Sequence, residues 1–128
     1  MAVKVMIADD HSMIREGLKQ LLELEGDFEV IAEACDGVDC LEKLKTVVPD
    51  ILLLDINMPN MNGLEVLQKM KDMKMKVKVL VLTVHNEVEY LLKAVDIGVN
   101  GYLLKDSESA ELKLSLIHIS EPTRPISI

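Results

Sequence analysis

Residues 47–63, with the sequence VVPDILLLDINMPNMNG, decide how the rest of this chain folds. The apolar run at 51–54 ends abruptly in Asp55. A strand without polar positions must be covered on both faces, so this run predicts a central strand of a parallel sheet over 50–54. A carboxylate at the end of such a strand is costly unless it emerges into a site at the sheet edge. The alternative is that Asp55 only caps a turn.

Strands and helices alternate along the remaining sequence. Further strands are predicted over 3–8, 28–32, 77–82 and 101–104. Apolar residues at helical spacing predict helices over about 11–25, 37–48, 63–75, 87–97 and 107–120. Five strands alternating with five helices predict a doubly wound α/β sheet, a three-layer sandwich. Right-handed crossovers then place the carboxyl ends of all five strands on one edge.

The composition restricts the class of protein. At 128 residues the chain fits one domain, and 49% apolar residues with a net charge of −8 predict a compact, acidic protein. With no basic stripe and few aromatic residues, it is not suited to bind nucleic acid. Cys35 and Cys40 lack metal-site spacing, and free thiols fit a reducing cytosol. Since no signal peptide or long apolar run is present, we expect a cytoplasmic protein without membrane contact.

Polar residues follow four of the predicted strands. Asp9 and Asp10 follow the first strand, and Asp55, Thr83 and Lys105 follow the third, fourth and fifth. Three converging carboxylates repel one another and favour a bound cation. A ligand set of oxygen atoms, without Cys or His, favours Mg²⁺. The alternative is that the two acids after the first strand cap the first helix, and Asp10 is expected to do so in either case.

This set of residue types suits phosphoryl transfer. Asp55 can act as a nucleophile and form an acyl phosphate. Lys105 would pair with one phosphoryl oxygen, and the Thr83 hydroxyl could donate to another. The backbone carbonyl of Asn57 could bind the metal. Each residue alone is weak evidence, but the combination at successive strand ends predicts a phosphoryl-transfer site.

Four segments carry a resemblance to a known family. They are ADDHSMIREGLKQLL near the N-terminus, DILLLDINMPNMNG around Asp55, LTVHNE around Thr83, and GYLLKD around Lys105. Over residues 2 to about 113 the sequence resembles the receiver domains of bacterial two-component response regulators. REGL in the first helix and GYLLKD resemble the NarL/LuxR class, whose members normally carry a C-terminal helix-turn-helix output domain that controls transcription.

The resemblance implies a sheet with strand order 2-1-3-4-5. It implies that Asp55 takes a phosphoryl group from a sensor histidine kinase, with Asp9, Asp10, Asp55 and the Asn57 carbonyl holding Mg²⁺. The protein would be a phosphoacceptor with self-catalysed phosphorylation and dephosphorylation, and otherwise not an enzyme.

The resemblance also implies a switch. Thr83 would move onto the phosphoryl group and Tyr102 would turn inward, which changes the surface formed by helix four, strand five and helix five. The alternative for Tyr102 is an ordinary aromatic at a strand edge. The side chains of Asn57 and His85 flank the site and are expected to tune the lifetime of the phosphate. His85 is not expected to bind metal, since no second nitrogen or sulfur ligand accompanies it.

The resemblance ends near residue 113. Leu112, Leu116 and Ile119 still keep a helical apolar stripe, with Leu114 and Ile117 off it, so the predicted receiver domain covers 1–120. The following residues, 121–128, are expected to lie outside the domain, and the end of the chain resembles translated vector or adapter sequence. These 128 residues contain no output domain, so we expect them to bind no nucleic acid. The sequence does not decide whether the domain forms a homodimer, because the surface that helix five would offer to a partner lies where the resemblance ends.

Three other functions compete with this interpretation. An aspartyl-nucleophile, Mg²⁺-dependent phosphatase normally has a second Asp two residues after the nucleophile, and Asn57 stands there. A flavodoxin-like electron-transfer protein needs a Ser/Thr/Gly-rich phosphate loop after the first strand, where Asp9 and Asp10 stand. A binding module that works without phosphorylation would not need the complete set of site residues.

Overall fold

In the computed structural model, which describes residues 2–24, 26–84 and 87–120, five parallel strands alternate with five helices. The strands are β1 (Val3–Ala8), β2 (Phe28–Ala34), β3 (Ile51–Asp55), β4 (Lys78–Thr83) and β5 (Gly101–Leu104). The helices are α1 (Ser12–Glu23), α2 (Gly37–Leu44), α3 (Gly63–Asp72), α4 (Val88–Ile97) and α5 (Ser109–Ser120). The strands form one sheet in the order β2-β1-β3-β4-β5, which confirms the predicted fold class and order. His85 and residues 121–128 lie outside the described residues.

The central strand is covered on both faces, as predicted. All five residues of β3 are buried, and it pairs with β1 on one side and β4 on the other. Leu52 and Leu54 pack in a core layer with side chains of α2 and α3. Ile51 and Leu53 pack in a second layer with side chains of α1 and α5. Asp55 is therefore held at the end of the most buried strand of the sheet.

Several element ends differ from the sequence prediction. Helix α2 ends at Leu44 and not just before Pro49, because the amides of the next three residues turn back to the carbonyls of Glu42 and Lys43. Val48 continues the apolar spacing of the predicted helix, but it is 73% exposed and is not part of the core. Helix α3 ends at Asp72 and not near 75, since Lys74 adopts a positive φ of 54°.

The prediction that Asp10 caps α1 is wrong. The N-cap residue is His11, and its side chain makes no capping hydrogen bond. Asp10 lies one residue before that cap. Its carboxylate lies instead with those of Asp9 and Asp55, so it is available to a site rather than to the helix.

Helix α5 presents the predicted apolar stripe to the sheet. Leu112, Leu116 and Ile119 are buried, whereas Leu114 and Ile117 are exposed. Lys78 Nζ donates a hydrogen bond to the carbonyl of Ile119 at 2.7 Å, which ties the end of the helix to β4. No helix among the described residues is both long and apolar enough to cross a membrane.

The loop between β3 and α3 is fixed at its far end by the start of the helix. The Asn62 side chain accepts a hydrogen bond from the Glu65 amide, and the Glu65 side chain accepts one from the Asn62 amide. This capping box satisfies two amides at the helix start that have no partner within the helix. The Gly63 amide donates to the Ile56 carbonyl at 2.7 Å, so the helix start is bonded directly to the end of the central strand.

Candidate functional site

The predicted site residues meet at the carboxyl edge of the sheet. Asp55 is the last residue of β3 and Thr83 the last of β4, while Asp9 and Lys105 directly follow β1 and β5. Asp9, Asp55 and Thr83 are almost completely buried. Parallel strands end on one edge, so four residues far apart in sequence lie together there.

Asp55 has a defined partner for each carboxylate oxygen. Its Oδ1 accepts a hydrogen bond from the Asn57 backbone amide at 3.1 Å. Its Oδ2 accepts one from Lys105 Nζ at 2.9 Å. The side chain is only 1% exposed, so this pair is shielded from water and holds the carboxylate in one orientation. The structure thus brings Lys105 and the Asn57 backbone to Asp55.

One lysine is shared by two buried carboxylates. Lys105 Nζ is 2.9 Å from Asp55 Oδ2 and 3.3 Å from Asp9 Oδ2. Burial acts to lower the pKa of Lys105, but the hydrogen bond to Asp55 and the negative charges of both carboxylates outweigh it and leave the pKa raised. Lys105 therefore stays a cation, and its backbone amide is fixed by a hydrogen bond of 2.7 Å to the Thr83 carbonyl.

Burial also changes the acidity of Asp55. Loss of water around the carboxylate raises its pKa from 3.8 to about 6, although the hydrogen bond from Lys105 acts in the opposite direction. The negative charge of Asp9 raises the pKa further. With a pKa of about 6, Asp55 is mostly ionised near neutral pH and retains its lone pairs for a nucleophilic reaction.

The acidic residues form a group that could hold a cation. Ligand atoms of Asp9, Asp10, His11 and Asp55 all lie within 4.8 Å of one another. Asp9 Oδ2 and Asp10 Oδ1 are buried, and neither accepts a well-aligned hydrogen bond from the described residues. Lys105 Nζ lies 3.3 Å from Asp9 Oδ2, and His11 Nδ1 lies 3.2 Å from Asp10 Oδ1. Buried carboxylate oxygens with so few partners are costly, and a bound cation would satisfy them. The donor set therefore fits the predicted Mg²⁺, whose preferred ligands are oxygen atoms.

His11 lies beside this acidic group, a position that the sequence did not predict. His11 Nδ1 lies 3.1 Å from Asp9 Oδ1 and 3.2 Å from Asp10 Oδ1, although 60% of its side chain is exposed. The His11 backbone amide donates to Asp9 Oδ1 at 2.9 Å. The only signal in the sequence is that this residue directly follows the acidic pair.

The Thr83 hydroxyl contacts Val84 and Glu87. Its Oγ1 lies 3.3 Å from both the Val84 carbonyl and Glu87 Oε1 and can donate to either. Glu87 Oε1 also accepts the Val84 amide at 3.1 Å. Glu87 is buried, and sequence reasoning missed it because no residue pattern marks its contact with Thr83.

Tyr102 lies on the outside of β5 and is 55% exposed. Asn57 is also exposed. The predicted roles of the Tyr102 ring and of the Asn57 carbonyl and side chain therefore stay predictions.

Arg15 is a second residue that the sequence analysis missed. Its Nη1 donates to the Asp9 carbonyl, and its Nε donates to Glu33 Oε1 at 3.2 Å. The arginine lies in α1, one turn after His11, and links the end of β1 to β2. Arg15 therefore helps to hold the backbone at Asp9 in place.

Neither cysteine belongs to the site. Cys35 and Cys40 are both free, which agrees with the predicted free thiols. Burial raises the pKa of Cys40 to about 12, so its thiol stays protonated and unreactive.

The sheet order and the acidic edge define the class of this domain, a flavodoxin-like α/β domain with a candidate cation site beside a buried lysine. The sequence model of the family described as response regulator receiver domain matches residues 5–117. The chain therefore belongs to the receiver domain family of two-component response regulators, as its motifs indicate.

Similar full-length proteins are response regulators. The nitrate/nitrite response regulator protein NarL of Escherichia coli K12 is 40% identical over 112 residues, which cover 88% of this chain and 52% of that protein. The transcriptional regulatory protein DegU of Brevibacillus brevis is 39% identical over 110 residues, which cover 86% of this chain and 47% of that protein. The chain spans about half the length of these curated relatives.

Solved structures agree with this assignment. The receiver domain of the response regulator NarL from Mycobacterium tuberculosis superimposes with a TM-score of 0.86 at 35% identity, covering 93% of this chain and 96% of that one. A LuxR-family response regulator from Staphylococcus aureus superimposes with a TM-score of 0.87 at 34% identity, covering 93% and 99%. The chain is thus a signalling domain whose relatives are NarL/LuxR-class regulators.

Proposed function

We propose that this receiver domain accepts a phosphoryl group on Asp55 from the phosphohistidine of a sensor histidine kinase. The observation that carries the proposal is the buried Asp55 carboxylate, paired with Lys105 at 2.9 Å and adjoining the acidic group. A lysine in this place can accompany a phosphoryl oxygen as soon as one arrives. The family membership of the chain supports the same role.

The reaction follows from the residues around Asp55. An ionised oxygen of Asp55 attacks phosphorus, the phosphorus–nitrogen bond to the donor imidazole breaks, and the electron pair returns to that nitrogen. Lys105 then pairs with a phosphoryl oxygen, and the Thr83 hydroxyl donates to another. Asp9, Asp10, Asp55 and the Asn57 carbonyl would hold Mg²⁺, which when bound offsets the negative charge on the carboxylates and phosphoryl group.

The phosphoryl group would then act as a switch through Thr83. The hydroxyl leaves its position near Glu87 and Val84 for a phosphoryl oxygen, and the exposed Tyr102 ring moves inward. The phosphoryl group stabilises this second state because it bonds Thr83 only there. The surface of α4, β5 and α5 changes as a result, which in a longer parent protein would regulate a DNA-binding output domain or a homodimer.

The domain assignment is also a proposal. We assign residues 1–120 to the receiver domain and place 121–128 outside it, since the family match reaches residue 117 and α5 ends at Ser120. We expect the protein to act in the cytoplasm, where histidine kinases present their phosphohistidine, and to bind neither nucleic acid nor membrane through these residues.

Incubation with Mg²⁺ and acetyl phosphate is expected to add one phosphoryl group, because the small acyl phosphate replaces the kinase as donor. Intact-mass spectrometry would detect the adduct. Asp55→Asn, or omission of Mg²⁺, should abolish it. Asp72→Asn removes the same charge from an exposed carboxyl in α3 and should label like the wild type. Absence of an adduct from the wild type under conditions that label other receivers would refute the proposal.

Replacement of Asn57 and His85 together is expected to change the rate of autodephosphorylation severalfold. Side chains next to the phosphoryl group can admit or exclude the attacking water. Loss of the adduct over time, followed by intact mass, gives the rate. Replacement of Gln68 and His118, which are exposed on α3 and α5, is the matched control. An unchanged rate in the first variant would show that these two positions do not set the lifetime.

A further inference from the structure

We infer that His11 supplies a nitrogen ligand to the acidic site, which then binds first-row transition-metal cations such as Mn²⁺ and Co²⁺ through a mixed nitrogen and oxygen set. The inference concerns the metal site of the proposed function and names a class of cation in addition to Mg²⁺. Its basis is the position of the imidazole between two carboxylates.

The imidazole is placed by the backbone at the start of α1. His11 is the N-cap residue, with an extended backbone (φ −99°, ψ 108°), and its amide is bonded to Asp9 Oδ1. From this position Nδ1 lies 3.1 Å from Asp9 Oδ1 and 3.2 Å from Asp10 Oδ1. A ring whose side chain is 60% exposed could face solvent entirely, yet this nitrogen faces the acidic group.

A second observation points to a ligand at the same place. Asp9 is completely buried, and its Oδ2 has Lys105 Nζ at 3.3 Å but accepts no well-aligned hydrogen bond from the described residues. Asp10 Oδ1 is also buried without a well-aligned hydrogen bond, with His11 Nδ1 at 3.2 Å. The same Nδ1 is within hydrogen-bond distance of Asp9 Oδ1, at 3.1 Å, a contact that a bound cation would replace. The ligand atoms of all four residues lie within 4.8 Å of one another, a spread that one ion with bonds of about 2.0–2.4 Å can span.

The chemistry of the donors decides the class of cation. Three carboxylates alone suit Mg²⁺ and Mn²⁺, and magnesium gains little from an imidazole nitrogen. Affinity for nitrogen ligands rises from Mn²⁺ to Co²⁺ and Ni²⁺ along the first row. An imidazole in the set should therefore strengthen binding of Co²⁺ much more than binding of Mg²⁺.

Two measurements test the inference at about pH 8, since an imidazole ligand must be deprotonated. Electron spin echo modulation of bound Mn²⁺ should show coupling to a nitrogen nucleus, which changes to the ¹⁵N pattern in protein containing ¹⁵N-histidine. His11→Gln should lose the coupling and bind Co²⁺ about tenfold or more weakly by calorimetry, a loss that should clearly exceed the loss of Mg²⁺ affinity in the same variant. His118→Gln, an exposed histidine on α5, should match the wild type in both.

Several results would overturn the inference. One is the absence of nitrogen coupling in the wild type. Another is coupling that persists in His11→Gln but disappears in His85→Gln. A third is an equal loss of Mg²⁺ and Co²⁺ affinity in His11→Gln, since this would mean that His11 acts only through its contacts with Asp9 and Asp10. The isotope measurement needs no variant and so decides the question even if His11→Gln folds poorly.

The outcome can be separated from that of the proposed function. Nitrogen coupling without labelling of Asp55 by acetyl phosphate and Mg²⁺ would refute the phosphoacceptor role alone. Labelling of Asp55 in a protein without nitrogen coupling would refute the role of His11 alone.

Discussion

Asp55→Asn is expected to raise the free energy of unfolding of the metal-free protein by about 1–3 kcal/mol near neutral pH. Burial raises the pKa of Asp55 from 3.8 to about 6, so the folded protein disfavours the ionised carboxylate. Each pKa unit corresponds to about 1.4 kcal/mol, which sets the upper end of the range. The attraction between Asp55 and Lys105 acts in the opposite direction and is already included in this pKa.

The pH dependence has a definite sign. Below about pH 3, Asp55 is protonated in both the folded and unfolded states, so the wild type carries no ionisation penalty. As the pH rises from there through about 6, the free energy of unfolding of the wild type falls, because the folded state binds the proton more tightly than the unfolded state. The difference in stability between Asp55→Asn and the wild type should therefore grow from near zero at about pH 3 to its full value above about pH 7.

Urea unfolding in the presence of a chelator, measured across this pH range, gives both free energies. Asp72→Asn is the control, because it removes an exposed carboxyl and should change stability by no more than about 0.5 kcal/mol. If Asp55→Asn lowers the free energy of unfolding at neutral pH, the ion pair with Lys105 outweighs the burial of the charge. The carboxylate would then be a structural anchor rather than a strained functional group.

The features that could be predicted from the sequence are those set by strong local patterns. The uninterrupted apolar run before Asp55 requires cover on both faces, and all five residues of β3 are buried. Once the strands are parallel, the edge at which they end brings Asp9, Asp55, Thr83 and Lys105 together without any knowledge of the loops. The stripe on α5 was also predictable, because only one face of that helix can meet the sheet.

The features that could not be predicted depend on loops and on competition between contacts. Val48 continues the apolar spacing of α2, but the helix ends at Leu44 because the chain must turn towards β3. The inward position of His11 Nδ1 follows from an extended N-cap residue, and the buried Glu87 is marked only by its contacts with Thr83 and Val84. Neither residue type is unusual at its position, so no pattern in the sequence marks them.

Gly63→Ala is expected to lower the free energy of unfolding by about 2–3 kcal/mol and to slow phosphorylation of Asp55. A Cβ atom at this position would lie 2.6 Å from the Asp55 carbonyl oxygen and 2.8 Å from Ile56 Cα. Both neighbours are backbone atoms, so the clash cannot be relieved by rotation of a side chain. The start of α3 or the end of β3 must move, and the hydrogen bond between the Gly63 amide and the Ile56 carbonyl is strained.

Gly17→Ala makes the same chemical change in α1, where nothing lies within 4 Å of the new Cβ. It should raise the free energy of unfolding by about 0.5–1 kcal/mol, since alanine favours a helix interior over glycine. Urea denaturation of both variants, with acetyl phosphate labelling followed by intact mass, distinguishes the effect of the close backbone contact at Gly63 from the effect of helix propensity. If the two substitutions change the free energy of unfolding in opposite directions, Gly63 is required because α3 contacts the backbone that carries Asp55. A stable Gly63→Ala protein that labels normally would show instead that this contact does not position the carboxylate.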